Sequence, residues 1–425
     1  MVQIISVWKK LKHISKKSSN LENENFHSYE FISIKKVFKE LNRNNFILSK
    51  DNSWTKLFDS NHVQINKINF LYNSKYNKKF LIEKNNGISI NDLKKAKIIN
   101  GSIFAKLKNV KVIKDSLLIL ESRNLALVEG YGDERWADFQ INKWPNTHNF
   151  PLCKINFLNN NVVEKRIKIY KSNSKLKIIN KPVIYLSLRD DNQVFHWTFE
   201  NLTRLYFIDI FPNLKKIPLI SKNPLSNFQK ETLKILGIKN KILITGEKDL
   251  LCKNLYFPSI PSPPVLNKKL ILWLRKKFLI GIKKIKNKKD FSKLVFISRG
   301  DTSHRNILNE EQLFVELKKI NFKKYELSKL KLHDQINLFQ NAKIIIMPHG
   351  AGGIHTLFAS KKCKIIEIQS PEQPNNIFLC VAQMLKIDFF VAMGEKPTND
   401  HKKNYYIDIK KFIKILKKKI INQDI

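Results

Sequence analysis

The chain has 425 residues, a formal net charge of +42, 43% hydrophobic residues and 11% aromatic residues. That length exceeds one ordinary core and suits two domains, and the apolar content excludes an intrinsically disordered chain. Its lysines run through almost every segment instead of gathering on one element, which favours a solvated lysine surface over a nucleic-acid reader and stays compatible with peripheral membrane contact.

Residues 1–100 alternate short apolar runs with Asn, Lys and Ser clusters and carry no motif, so they read as a mixed N-terminal extension. The apolar run at the start is too short for a signal or a membrane span. Strands are expected at Ile103–Leu107, Ser116–Leu120 and Leu125–Val128, ahead of a turn at Gly130–Glu134. Val183–Leu188 then reads as a strand, His196–Ile210 as a helix, Lys216–Ile220 as a strand, Asn227–Leu236 as a helix closing at Gly237, and Lys241–Thr245 as a strand. The proline-dense segment Pro258–Pro264 marks a boundary, giving a first α/β domain over 101–264 and a second over 265–400. In the second, helices at Asn267–Ile280, Asn309–Ile320, His333–Gln340 and Gly353–Ala359 alternate with strands at Leu294–Ser298, Lys324–Leu327, Lys343–Met347 and Lys364–Ile368. Such alternation predicts a parallel, doubly wound sheet. The apolar stretch Phe378–Gly394, interrupted by Gln383, Lys386 and Asp388, is buried secondary structure, and residues 401–425 form a basic C-terminal helix. Cys153, Cys252, Cys363 and Cys380 make neither a CxxC pair nor a disulfide framework, which fits a reducing, cytoplasmic setting, free or at the inner face of the membrane.

Ligands of open parallel sheets bind beyond the carboxyl ends of the strands. Three loops there carry candidate chemistry. His349, Gly350, Ala351 and Gly352 join a buried strand to a helix, where glycines allow close backbone approach and a helix N-terminus suits a diphosphate. Arg299 and Arg305 place two guanidinium groups in one loop, a phosphate clamp in a chain that otherwise uses lysine for charge. Glu367 interrupts an apolar strand near its end, either to hold ribose hydroxyls or as an edge residue facing water. In the first domain, His196 and Glu200 share one helical face and form a candidate general-base pair, against a packing role for the histidine. His349 and His355 lack a third ligand at metal spacing, so no metal is expected.

Four segments in this order resemble glycosyltransferase family 61, which includes bacterial capsular-polysaccharide transferases. They are Phe195–Trp197 with Glu200 and Arg204; Phe296–Arg299 with Arg305, Asn309 and Glu310; Gln335–Ala342; and His349–Gly352 followed by Ile366–Ile368. The resemblance covers roughly 128–395. It implies a GT-B-like fold of two Rossmann-like domains facing a cleft, and inverting transfer from a nucleotide sugar, UDP-linked by expectation, to a glycan or lipid-linked saccharide in surface polysaccharide synthesis. No tightly bound cofactor is implied. Arg299 and Arg305 would face the diphosphate, His349 to Gly352 would form the donor loop, Glu367 would lie near the ribose, and His196 or Glu200 would serve the acceptor hydroxyl. The sequence departs from the family at Gly353, Ile354 and His355, where Leu, a small residue and Asn are usual, and at Gln193, a place often held by Asn. A pyruvyl transferase on a similar fold and a basic nucleic-acid-binding protein are the competing readings.

Overall fold

The structure, a computed structural model, describes residues 26–32, 55–56, 69–71, 103–113, 117–120, 125–127, 166–170, 176–186, 192–246, 248–258, 268–285, 289–395 and 403–421. The turn at 130–134, most of the proline segment, Cys153 and the chain start lie outside these residues.

Two sheets organise the chain. The first has eleven strands, in the order Ile242–Ile244, Leu219–Ser221, Val183–Tyr185, Leu250–Pro258, Ile103–Ile113, Leu117–Leu120, Leu125–Leu127, Phe26–Ile32 and Arg166–Tyr170, with Thr55–Lys56 and Lys177–Ile179 paired off this path. Its first four strands are parallel, as the strand–helix alternation predicts. The rest is different: Leu250–Pro258 runs antiparallel to Ile103–Ile113 from Leu250↔Val112 to Pro258↔Phe104, and a meander follows through Leu117–Leu120 to Leu125–Leu127. The expected doubly wound first domain is therefore corrected to a mixed sheet that is Rossmann-like only at one end. Leu250–Pro258 is a strand without a clear sequence signal, because its Lys253–Asn254 centre interrupts the apolar run.

The second sheet is parallel throughout, in the order Lys323–Glu326, Leu294–Ser298, Ile344–Pro348, Lys364–Gln369, Asp388–Met393 and Asn69–Phe70. Helices cover it, so its inner strands are apolar on both faces, and Ile344 to Met347 and Ile365 to Ile366 are all buried. The sixth strand comes from the N-terminal extension, beyond the expected second domain: Leu71 donates its N–H to the Val391 carbonyl at 2.9 Å and is itself buried. An edge strand offers backbone groups to any segment, so the sequence carries no mark of this pairing.

Between the sheets the helices share one apolar cluster, which contains Trp197, Phe199 and Leu233 from the first half and Ile336, Phe358 and Phe378 from the second. Lys268–Lys283 packs against Asn227–Leu236, Ile377–Leu385 and the turn Ala351–Phe358. Asn227–Leu236 follows its sequence signals closely: Ser226 and Gln229 form a reciprocal capping box, and Gly237 ends the helix in the left-handed conformation at φ 74°. Among the described residues no helix is long and apolar enough to cross a membrane, and the apolar stretch near 378–394 is the helix Ile377–Leu385 followed by the strand Asp388–Met393.

Arg204 fastens the first sheet. Its Nε donates to the Pro258 carbonyl at 2.8 Å, Nη1 to Leu186 at 2.9 Å and Nη2 to Tyr185 at 3.1 Å, which joins the ends of two neighbouring strands to one helix. Burial pushes its pKa down to about 9, with Tyr185 and Glu200 opposing the shift. Arg204→Met should therefore orphan three carbonyls and lower unfolding free energy by on the order of 3–5 kcal/mol in urea denaturation. A loss below ~1 kcal/mol would mean that water replaces the guanidinium.

Candidate functional site

The second sheet reverses its winding between Leu294–Ser298 and Ile344–Pro348: the strand after the first lies outside it, and the strands after the second continue the other way. In open parallel sheets ligands bind beyond the strand ends at such a switch point. Arg299 leaves the first of these strands and His349 the second. The loops meet there. A Cβ on Gly350 would stand 1.4 Å from Arg299 Nη1, so only glycine lets the arginine cross the histidine–glycine loop.

The Arg299 loop is held by its own hydrogen bonds. Ser298 Oγ donates to Glu310 Oε1 at 2.5 Å, the Gly300 N–H donates to Ser298 Oγ at 3.1 Å, and Asn306 Nδ2 donates to the Thr302 carbonyl at 2.6 Å. Arg305 sits at φ 58°, in the left-handed region that side chains other than glycine seldom adopt. Among the described residues Arg299 Nη2 reaches Thr302 Oγ1 and the His304 carbonyl, both at 3.3 Å, and its buried Nε meets no partner. Burial lowers the pKa of both arginines, and Arg305 lowers that of Arg299 further. Among the described residues neither arginine is within ion-pair distance of a carboxylate. Asp301 and Glu310 oppose the shift at Arg299, and Glu367 that at Arg305, but none forms a direct ion pair, and two adjacent, part-buried guanidinium groups with donors to spare suit an anion.

His349 and Glu367 form a buried pair. His349 Nδ1 lies 2.8 Å from Glu367 Oε1, and Gln369 Nε2 donates to Glu367 Oε2 at 2.5 Å. Gln369 is tied in turn to the backbone of Asn375 by two hydrogen bonds. Lys364–Gln369 is an inner strand and Glu367 is fully buried, so the alternative of an edge carboxylate facing water is corrected. Both carboxylate oxygens of Glu367 are engaged, one of them by His349 Nδ1, which fixes the orientation of the ring. Ala351 and Gly352 open a 3-10 turn, Ala351–Phe358, where an α-helix was expected over Gly353–Ala359. Arg275 holds that turn by donating to the Leu357 and Ala359 carbonyls, the latter at 2.8 Å. His355 is a core histidine, 3.0 Å through Nδ1 from the Gly352 carbonyl, with burial lowering its pKa to about 4.

Tyr405 completes the cluster and has no signal in the sequence. Asn309 pairs through its side chain with both backbone groups of Ile407, and the Tyr405 N–H donates to the Asn306 carbonyl at 3.0 Å. These bonds bring segment 403–408 alongside the arginine loop. The buried Tyr405 hydroxyl donates to the Ile368 carbonyl at 3.1 Å, and its ring occupies the space left by Gly394, whose Cβ would stand 2.2 Å from it. Burial raises the Tyr405 pKa and keeps the phenol neutral beside Arg299 and Arg305.

His196 and Glu200 lie in a helical run made of Val194–His196, a π-helical Trp197–Asn201, Leu202–Arg204 and, after Leu205, Tyr206–Ile210. His196 Nδ1 stands 2.9 Å from Glu200 Oε1; the histidine is part-exposed and the glutamate buried. This pair is not remote from the histidine–glycine loop. Phe195 packs edge-on to Phe378 at 6.1 Å, Phe378 faces the His349 ring at 5.4 Å, and a Cβ on Gly353 would collide with Phe378 at 2.3 Å. Phe378 is thus the apolar bridge between the two candidate halves. Among the described residues no group of three or more His, Cys, Asp or Glu is arranged to hold a metal.

A search of curated proteins returns no match to this chain. The family model for Glycosyltransferase 61 matches residues 194–366. That span begins at the helix carrying His196 and ends one residue before Glu367, taking in the two arginines and the histidine–glycine loop. Over residues 194–366 the chain is therefore similar to glycosyltransferase family 61, the family that the four sequence segments resemble.

Proposed function

We propose that this glycosyltransferase transfers a sugar from a nucleotide-sugar donor, UDP-linked by preference, to a glycan or lipid-linked saccharide in surface polysaccharide synthesis, with inversion at the anomeric carbon. The observation that carries the reading is the pair of part-buried arginines without a direct ion pair among the described residues, Arg299 crossing Gly350 and Arg305 next to it, at the switch point of a parallel sheet. A nucleoside diphosphate supplies the negative charge that these guanidinium groups lack, and as leaving group it gains charge when the glycosidic bond breaks. His349, oriented by Glu367, and the backbone of Gly350, Ala351 and Gly352 line the same side. In this reading the two α/β halves form a GT-B-like pair, with the donor on the second and the acceptor on the first. The acceptor hydroxyl attacks from the face opposite the diphosphate, and His196, oriented by Glu200, removes its proton as the new bond forms.

The test is a thermal-shift screen of nucleoside diphosphates, since a ligand that binds only the folded state raises the melting temperature by mass action. UDP or another nucleoside diphosphate is expected to raise it, by an amount equivalent to ~2.7 kcal/mol at a hundredfold excess over Kd. No shift with any nucleotide up to millimolar concentration would overturn the donor site.

A further inference from the structure

We propose that the C-terminal helix is a docking surface for an anionic bilayer. The helix Ile409–Leu416, continued by the π turn Lys417–Ile421, turns Phe412, Leu416 and Ile420 into the core of the second half. That anchoring decides where the lysines go. Lys410, Lys411, Lys414, Lys417, Lys418 and Lys419 are all exposed, and the spacing of Lys410, Lys414 and Lys417 sets them on one outward side. The helix holds no acidic residue of its own beyond the N-cap Asp408, whose side chain accepts from the Lys411 N–H at 3.0 Å.

Large apolar side chains are exposed on the segments that lead into this helix or pack against it. Tyr406, just ahead of it, is 46% exposed, and Leu308, whose N–H donates to the Tyr405 carbonyl, is 44% exposed. Val315, 56% exposed, lies on the helix Glu310–Lys318 that packs against Ile409–Leu416. Acidic neighbours on that second helix are drawn toward other lysines: Glu311 bonds Lys324, and Glu316 bonds Lys319. A lysine row with an exposed tyrosine and aliphatic groups on the adjoining segments fits a lipid headgroup layer, where charge draws the surface in and apolar groups enter the boundary. A nucleic-acid backbone would use the lysines and leave Leu308, Val315 and Tyr406 without a partner. The inference is independent of the donor site.

Vesicle sedimentation of the full chain tests it, with phosphatidylcholine alone and with phosphatidylglycerol included. The protein is expected to pellet with the anionic vesicles only, and to be released as salt rises. Lys410→Gln, Lys414→Gln and Lys417→Gln combined should lower the partition coefficient roughly 100-fold, at about 1 kcal/mol per lysine, with the melting temperature unchanged. Because lysine is abundant everywhere, a control replaces the exposed Lys215, Lys234 and Lys239 of the other half by glutamine and should keep parental binding. The proposal is overturned if the control loses as much binding as the test variant, if neutral vesicles pellet the protein equally, or if RNA captures the chain while anionic vesicles do not.

Discussion

Arg299→Ala combined with Arg305→Ala is expected to abolish the nucleotide-induced thermal shift while leaving the ligand-free protein at least as stable as the parent. The two halves of that outcome share one cause. Among the described residues neither part-buried guanidinium has a direct ion pair, and burial together with the neighbouring cation lowers the Arg299 pKa against the opposing pull of Asp301 and Glu310, so the two arginines carry a desolvation and like-charge cost. Alanine removes the cost along with the binding groups. A single charge-assisted hydrogen bond to the diphosphate contributes ~1.5–3 kcal/mol, so deleting both arginines should weaken nucleotide affinity by on the order of a hundredfold or more. A double variant that folds and keeps parental nucleotide affinity would remove both arginines from the donor site. A fall in ligand-free stability would instead make them structural, in the manner of Arg204. Gly350→Ala serves as an independent check: its Cβ meets only the far end of the Arg299 side chain, so the fold tolerates it while the arginine is displaced.

His196→Ala and Glu200→Gln are expected to suppress sugar transfer without changing the nucleotide shift. Loss of a general base costs ~10²–10⁴-fold in rate, and His196→Ala should fall in that range. With Nδ1 directed at Glu200 Oε1, the carboxylate favours the tautomer whose Nε2 accepts a proton. Glu200→Gln replaces that acceptor by an amide and should depress turnover through the histidine, with a smaller loss than His196→Ala. The ring-to-ring path from Phe195 through Phe378 to His349 fixes the second requirement, that acceptor chemistry and donor binding be separable. Apolar packing joins the two sides along this path, so a polar change at His196 leaves the donor loops in place. Turnover measured with an authentic acceptor decides the matter. If both folded variants keep full turnover, the base lies elsewhere, even with the family assignment intact.

Much of the second half was legible because its determinants are local. Buried parallel strands leave apolar runs such as Ile344 to Met347, and in the first half Asn227–Leu236 carries its own cap and its own glycine terminator, so these elements follow from periodicity and turn chemistry. The arginine and histidine–glycine loops were legible as loops for the same reason: a strand end followed by arginine or by glycines is a short-range pattern. Tertiary structure alone decided what those residues touch. Glu367 reads equally as an edge residue or a site residue until the strand order makes it an inner one facing His349, and sheet order is a long-range property. Tyr405 and segment 403–408 reach the site through backbone and amide bonds to Asn306 and Asn309, about a hundred residues earlier, with no spacing to announce them. The same holds for the antiparallel strand Leu250–Pro258 and for Asn69–Phe70 at the edge of the second sheet. Main-chain hydrogen bonds are chemically alike at every residue, so the sequence by itself determined the apolar and locally capped segments, and only the assembled sheet decided which further segments join it and which strands pair.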